Sequence, residues 1–135
     1  MILAEQTTPS SSTNVFSIAS QRVQIALYSL QMQDAAVARA IQRADEVHNR
    51  CVEMTANRDS MSAEIQETER ALASGTLPET RTIGLSQHLG QQKKHLDIQN
   101  AAVQACQAAE SEASDQVRSS RTKLAELQDR IERLD

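Results

Sequence analysis

The stretch "ALASGTLPET", residues 71–80, decides how this chain folds. Pro78 is the only proline after Pro9, and Gly75 is the first of three glycines. On either side of the stretch lie long segments patterned for helix. Ser74-Gly75 is a natural helix stop, because glycine takes the left-handed C′ conformation without a steric penalty. Thr76-Leu77-Pro78-Glu79 then offers a hydroxyl N-cap, a proline in the first turn and an acid three residues after the cap. That pattern predicts a capping box that starts a second helix. Gly84 and Gly90 weaken the early turns of that helix, so a looser tip with a short 3₁₀ turn is expected there.

The segment before the break carries one sustained stripe. Heptad spacing from Val23 runs through Leu30, Val37, Ala44, Cys51, Arg58, Ile65 and Leu72. A companion set runs through Ala26, Gln33, Ala40, Val47, Met54, Met61 and Thr68. After the break, Leu89, Leu96, Val103, Glu110, Val117, Leu124 and Ile131 repeat at the same spacing. Their companions are Leu85, Gln92, Gln99, Cys106, Ala113, Ser120, Leu127 and Leu134. Spacing of this kind marks the buried seam of a coiled coil.

A short connection between two long helices implies antiparallel neighbours. In that arrangement the numbers of facing residues add to a constant. Leu72 with Leu85 sets the constant at 157, and the same value pairs Met61 with Leu96 and Met54 with Val103. It also pairs Cys51 with Cys106, Ala40 with Val117, Leu30 with Leu127, Ala26 with Ile131 and Val23 with Leu134. Flanking charges fit in part, with Asp34 near Arg121 and Glu64 near His95. The polar exceptions are Arg58 facing Gln99, Ile65 facing Gln92, Gln33 facing Leu124, and Val47 facing Glu110. Polar residues in a seam cost stability and help to fix register.

The fold expected is therefore all-α: a long antiparallel two-helix coiled-coil hairpin, self-associating or completed by a partner helix. Helix 1 is expected over about 17–73, the tip over 74–80 and helix 2 over about 81–134, within a hairpin of 15–135. Residues 1–14, "MILAEQTTPSSSTN", hold one charged side chain and a Ser/Thr cluster, and read as a flexible arm. Asn14, Ser17 and Ser20 are the candidate N-caps.

Composition narrows the function. Aromatics make up 1% of the 135 residues, namely Phe16 and Tyr28, which suits long helices and suits a compact enzyme core poorly. The net charge of −4 and the interspersed signs argue against a nucleic-acid partner. No run reaches the roughly 18 apolar residues that cross a membrane. The N-terminal residues lack the basic and apolar regions of a signal peptide. A cytoplasmic setting is expected, with signal-peptide-independent export as the alternative. No nucleophile elbow, phosphate-binding glycine loop or H-E-x-x-H pattern is present, so no enzyme, cofactor or catalytic residue is expected.

Two features carry the candidate sites. The register places Cys51 and Cys106 in one layer, either as reduced thiols packed like small hydrophobes or as a disulfide. In a cytoplasm the reduced pair is expected. His48 and Glu110 lie within about a turn of both, which makes a metal site geometrically conceivable but poorly supported. The second feature is the open end. Phe16, Ile18, Ile25, Leu27, Tyr28 and Met32 surround most of helix 1, opposite Leu127, Ile131 and Leu134. One partner helix cannot cover them all, and surplus apolar surface points to a protein partner or a homo-oligomer.

The expected function is a non-enzymatic protein–protein interaction module: an adaptor, scaffold or chaperone-like coiled coil of a larger assembly, such as a bacterial secretion apparatus. In architecture the chain resembles the small hairpin stalk proteins of flagellar and type III export systems, with two long helices and a short tip. No motif carries a residue over from them. The alternative is a viral or plasmid-encoded inhibitor that binds a host protein or a nucleic-acid-binding complex.

Overall fold

The computed structural model describes residues 2–134, with side chains from residue 17 onward. It is an all-α helical hairpin. Helix α1 spans Ile2–Ala73 and helix α2 spans Glu79–Arg133. The chain divides into two units, one of Met1–Gln42 with Asp115–Asp135 and one of Arg43–Ser114.

The second unit, Arg43–Ser114, contains the break and both arms next to it. Helix α1 stops where expected. Gly75 has a φ of 67°, the left-handed conformation that a side-chain-bearing residue adopts only at a cost. The Ser74 amide closes the last turn on the Arg70 carbonyl at 3.0 Å, and its hydroxyl donates to the Ala71 carbonyl at 2.7 Å. The restart differs from expectation. The Thr76 hydroxyl lies 3.0 Å from that of Ser74, and α2 begins only at Glu79. The first bond of the new helix runs from the Thr82 amide to the Pro78 carbonyl at 2.9 Å. Pro78 thus sits ahead of the first turn, where its lack of an N–H costs nothing. The capping box does not form because the Thr76 hydroxyl is turned back towards the end of α1. The short 3₁₀ turn is not formed either: α2 runs unbroken as α-helix through Gly84 and Gly90.

Burial in this unit follows the seam. Cys51, Ile65, Thr68, Gln92, Val103, Cys106 and Ala113 are buried, and each belongs to the stripes derived from the sequence. Val103 is 2% exposed, the most deeply buried large side chain. The polar members are handled unequally. Thr68 donates its hydroxyl to the Glu64 carbonyl one turn back. Gln92 and Gln99 each bury an Oε1 that has no hydrogen-bond partner. Across the helices Lys93 pairs with Glu69, and His48 with Glu110. The expected Glu64–His95 pair is not among the ion pairs. His95 Nε2 lies 3.3 Å from Gln99 Nε2 instead, on its own helix.

The first unit pairs the early part of α1 with the last part of α2 in the same register. Ala26, Leu30, Gln33 and Ala40 are half-buried, as are Val117, Ser120, Leu124, Leu127 and Ile131. Gln33 donates from Nε2 to the Ser120 carbonyl at 3.0 Å, which satisfies a polar seam residue that faces Leu124. Val37 is the only buried hydrophobic here among the described residues. Asp34 and Arg121 do not form an ion pair.

Two expectations fail in this unit. Helix α1 does not start between Asn14 and Ser20 but runs from Ile2. Serine and threonine lose only tenths of a kcal/mol inside a helix, so a potential cap residue does not compel a helix end. The side chains of 1–14, and that of Phe16, lie outside the described residues. The last seam pair also fails: Val23 is 47% exposed and Leu134 54%. Leu134 follows the end of α2, where its amide bonds to the Ile131 carbonyl in a tighter turn. That turn takes Leu134 off the straight helical course that the register assumes.

Candidate interaction surface

The open end of the first unit is where most of the uncovered large apolar side chains lie. Ile18, Val23, Ile25, Leu27, Tyr28 and Met32 on α1 are all exposed, as is Leu134. Of the partner-contact residues expected from the sequence, these include Ile18, Ile25, Leu27, Tyr28, Met32 and Leu134. Leu127 and Ile131 are half-buried, because they face Leu30 and Ala26 in the seam. Val23 is the addition. Heptad spacing places it in the seam, because spacing alone gives no sign of where the facing helix ends.

The exposure has a simple cause. A helix in a two-helix pair covers one stripe, and a second set of apolar residues on the same turns must face away. From Val23 to Gln33 every residue is uncharged, and Arg22 and Asp34 bracket the run. The facing segment of α2, residues 124–134, is charged on its outer face, with the Asp129–Arg133 pair along it. The uncovered apolar surface therefore belongs mostly to α1.

Two shallow grooves lie along this end. One, of ≈ 330 Å³, is lined by Ile18, Ala19, Arg22, Val23 and Leu134. The other, of ≈ 320 Å³, runs between Ile25, Ala26 and Ser29 on one side and Leu127, Ile131 and Leu134 on the other, with Arg22 and Arg130 at its rim. Both are at the small end of ligand-site volumes. Aliphatic side chains dominate the linings, which suits an apolar side chain from a partner.

The cysteine layer of the second unit is different in kind. Cys51 and Cys106 are joined by a disulfide, with a Cα–Cα distance of 5.6 Å, and both are buried. The expectation of two reduced thiols is overturned: the register brings the backbones to the separation that a disulfide requires. The bond consumes both sulfurs as ligands, and His48 Nδ1 is hydrogen-bonded to Glu110 Oε1. No group of three or more metal-ligating side chains forms among the described residues.

No protein-family profile matches the chain, and no curated protein or solved structure is similar to it at a significant level. Among the described residues, no helix is long and apolar enough to cross a membrane.

Proposed function

We propose that this chain is a protein-interaction module, an adaptor or scaffold that docks through the open end of its first unit. The observation that supports it is the group of exposed apolar side chains Ile25, Leu27, Tyr28 and Met32, on an α1 segment without charges between Arg22 and Asp34, with Ile18 one turn ahead of it. A fold that needed only its own seam would carry polar residues at these places, as α2 does at Glu126, Asp129, Arg130 and Glu132 opposite them. Apolar surface beyond the needs of the fold is the usual mark of an interaction site.

The test is capture of partners from the native cell with the wild-type chain, beside Ile25→Asp and Leu27→Asp variants. Both side chains are exposed, so at high dilution the variants should keep their helical signal and melting temperature. They should lose the specific partners. Partners retained by both variants would remove the open end as the contact surface.

The disulfide revises the expected setting. Disulfides persist in oxidising compartments and are rare where glutathione keeps thiols reduced. A buried Cys51–Cys106 bond favours work outside a reducing cytoplasm, which suits an exported assembly. Alkylation in denaturant without reductant, with thiols trapped at lysis, checks this: both cysteines should escape labelling until a reductant is added. Quantitative labelling at isolation would restore the cytoplasmic reading.

A further inference from the structure

We propose that the partner of the first unit is a second copy of this chain, docked antiparallel along the outer face of α1. The proposal rests on the reading of the open end as an interaction surface, and it names the occupant.

Helix α1 carries two seams in this unit. Ala26, Leu30, Gln33 and Val37 form the one that faces α2, with successive spacings of four, three and four. On the outer side Ile25, Tyr28, Met32 and Ala35 repeat the alternation, and Ile18 lies one heptad before Ile25. All five are exposed, with Ile25 at 65% and Tyr28 at 63%. A 3-4 alternation is the pattern by which one helix receives another in knobs-into-holes packing. A random scatter of surface apolar residues has no reason to keep it.

Charge selects the occupant. The positions that flank the stripe from Ile25 to Ala35 are Gln24, Ser29, Gln31, Ala36 and Ala38, none of them charged; Arg22 is the one charged flank, at the Ile18 end. A charged partner helix would find only Arg22 to pair with along this stripe. A second copy brings an equally uncharged stripe, so no like charges meet and no charge is buried unpaired. The glutamine flanks are donors and acceptors at once, so two copies can hydrogen-bond to each other.

The antiparallel sense follows from the end of the stripe. The next seam position after Ala35, one heptad on from Met32, is Arg39. A parallel copy would set Arg39 against Arg39 of the second copy. In the antiparallel register facing numbers add to 60. Tyr28 then meets Met32 of the second copy, twice by symmetry, and Ile25 meets Ala35. Arg39 meets Gln21. A thioether beside an aromatic ring is a favourable contact. The interface is isologous, so assembly closes at two chains. Each dimer then holds four helices, α1 against α1 at the centre.

Sedimentation of the full chain across about 1–100 μM, the span over which an interface of micromolar affinity fills, should show a monomer–dimer equilibrium. Ile25→Asp and Tyr28→Glu should each weaken it at least about 100-fold, with unchanged helical content. Register is read by crosslinking. Gln24→Cys and Ala38→Cys should form a disulfide when the two single variants are mixed, and neither should couple to itself. The native cysteines are tied to each other, so each variant carries one free thiol. A monomer over the whole range, or a dimer indifferent to Ile25→Asp, overturns the proposal. So does coupling of Gln24→Cys to itself. A monomer that loses a different protein, or lipid vesicles of neutral composition, on Ile25→Asp overturns the second copy but keeps the interaction surface. A monomer whose partners ignore Ile25→Asp overturns both.

Discussion

The two units are built from the same seam yet end up in different states. Among the described residues, Arg43–Ser114 buries Cys51, Ile65, Thr68, Gln92, Val103, Cys106 and Ala113, and the other unit buries Val37. The exposed large hydrophobics divide the other way. Val52, Ile83 and Ile98 lie in the second unit, and Ile18, Val23, Ile25, Leu27, Tyr28, Met32 and Leu134 in the first. One stripe per helix is enough to close the second unit, because large apolar residues outside its stripe are few and scattered: Val52, Ile83 and Ile98. The first unit has apolar residues left over after its stripe is filled. Surplus, not shortage, separates the two.

The largest effect expected from breaking this contrast is at the disulfide. Cys51 and Cys106 are 55 residues apart in sequence. On the chain-entropy argument, opening a loop of that size costs about 4 kcal/mol. Replacing both cysteines by alanine should lower the urea midpoint of the second unit and leave the solution association of the first intact. An unchanged midpoint would mean that seam packing alone holds the register.

Next comes a matched pair of isoleucines. Ile65 is buried in the second unit and Ile25 is exposed in the first. Ile65→Ala should cost about 2–4 kcal/mol, as for a truncated core side chain. Ile25→Ala should stay within about 0.5 kcal/mol when measured at high dilution. Equal losses would erase the distinction between a closed and an open unit.

Much of this was legible in the sequence, and the reasons differ by feature. The seam was readable because heptad spacing is a property of one helix at a time. The register was readable because Gly75 and Pro78 fix the turn, so that the facing numbers follow by arithmetic. The oxidised state of Cys51 and Cys106 was not, because spacing shows that two sulfurs meet and says nothing of the electrons between them. Val23 and Leu134 were misplaced because a repeat predicts partners for every position until the facing helix stops. The capping box failed for a related reason: Thr76 had a second partner, the Ser74 hydroxyl, close by in the same turn.

Gln92 offers a smaller effect of the opposite sign. Its Oε1 is buried without a partner, opposite Ile65. Relief of that penalty should make Gln92→Leu more stable by about 1 kcal/mol, read from the urea midpoint. A loss instead would show that the glutamine fixes the register at that layer. The turn gives a similar magnitude in both directions. Gly75→Ala should cost about 1 kcal/mol, since φ is positive there, and Gly84→Ala in open helix should gain somewhat less.

The smallest expected effect is at the pair nearest the disulfide. His48 and Glu110 are hydrogen-bonded across the helices, with side chains 60% and 34% exposed. They form an ion pair only when His48 carries a proton, and water screens an exposed pair. Double-mutant cycles on such pairs give at most about 1 kcal/mol. His48→Ala, Glu110→Ala and the double variant should therefore show a coupling below that value with the disulfide intact. The same cycle in the cysteine-free background sharpens the comparison. If the covalent bond presents the two side chains to each other, the coupling should shrink further once the bond is gone. If it grows, the pair takes over part of the register when the sulfurs are removed, and closure of the second unit is shared between them.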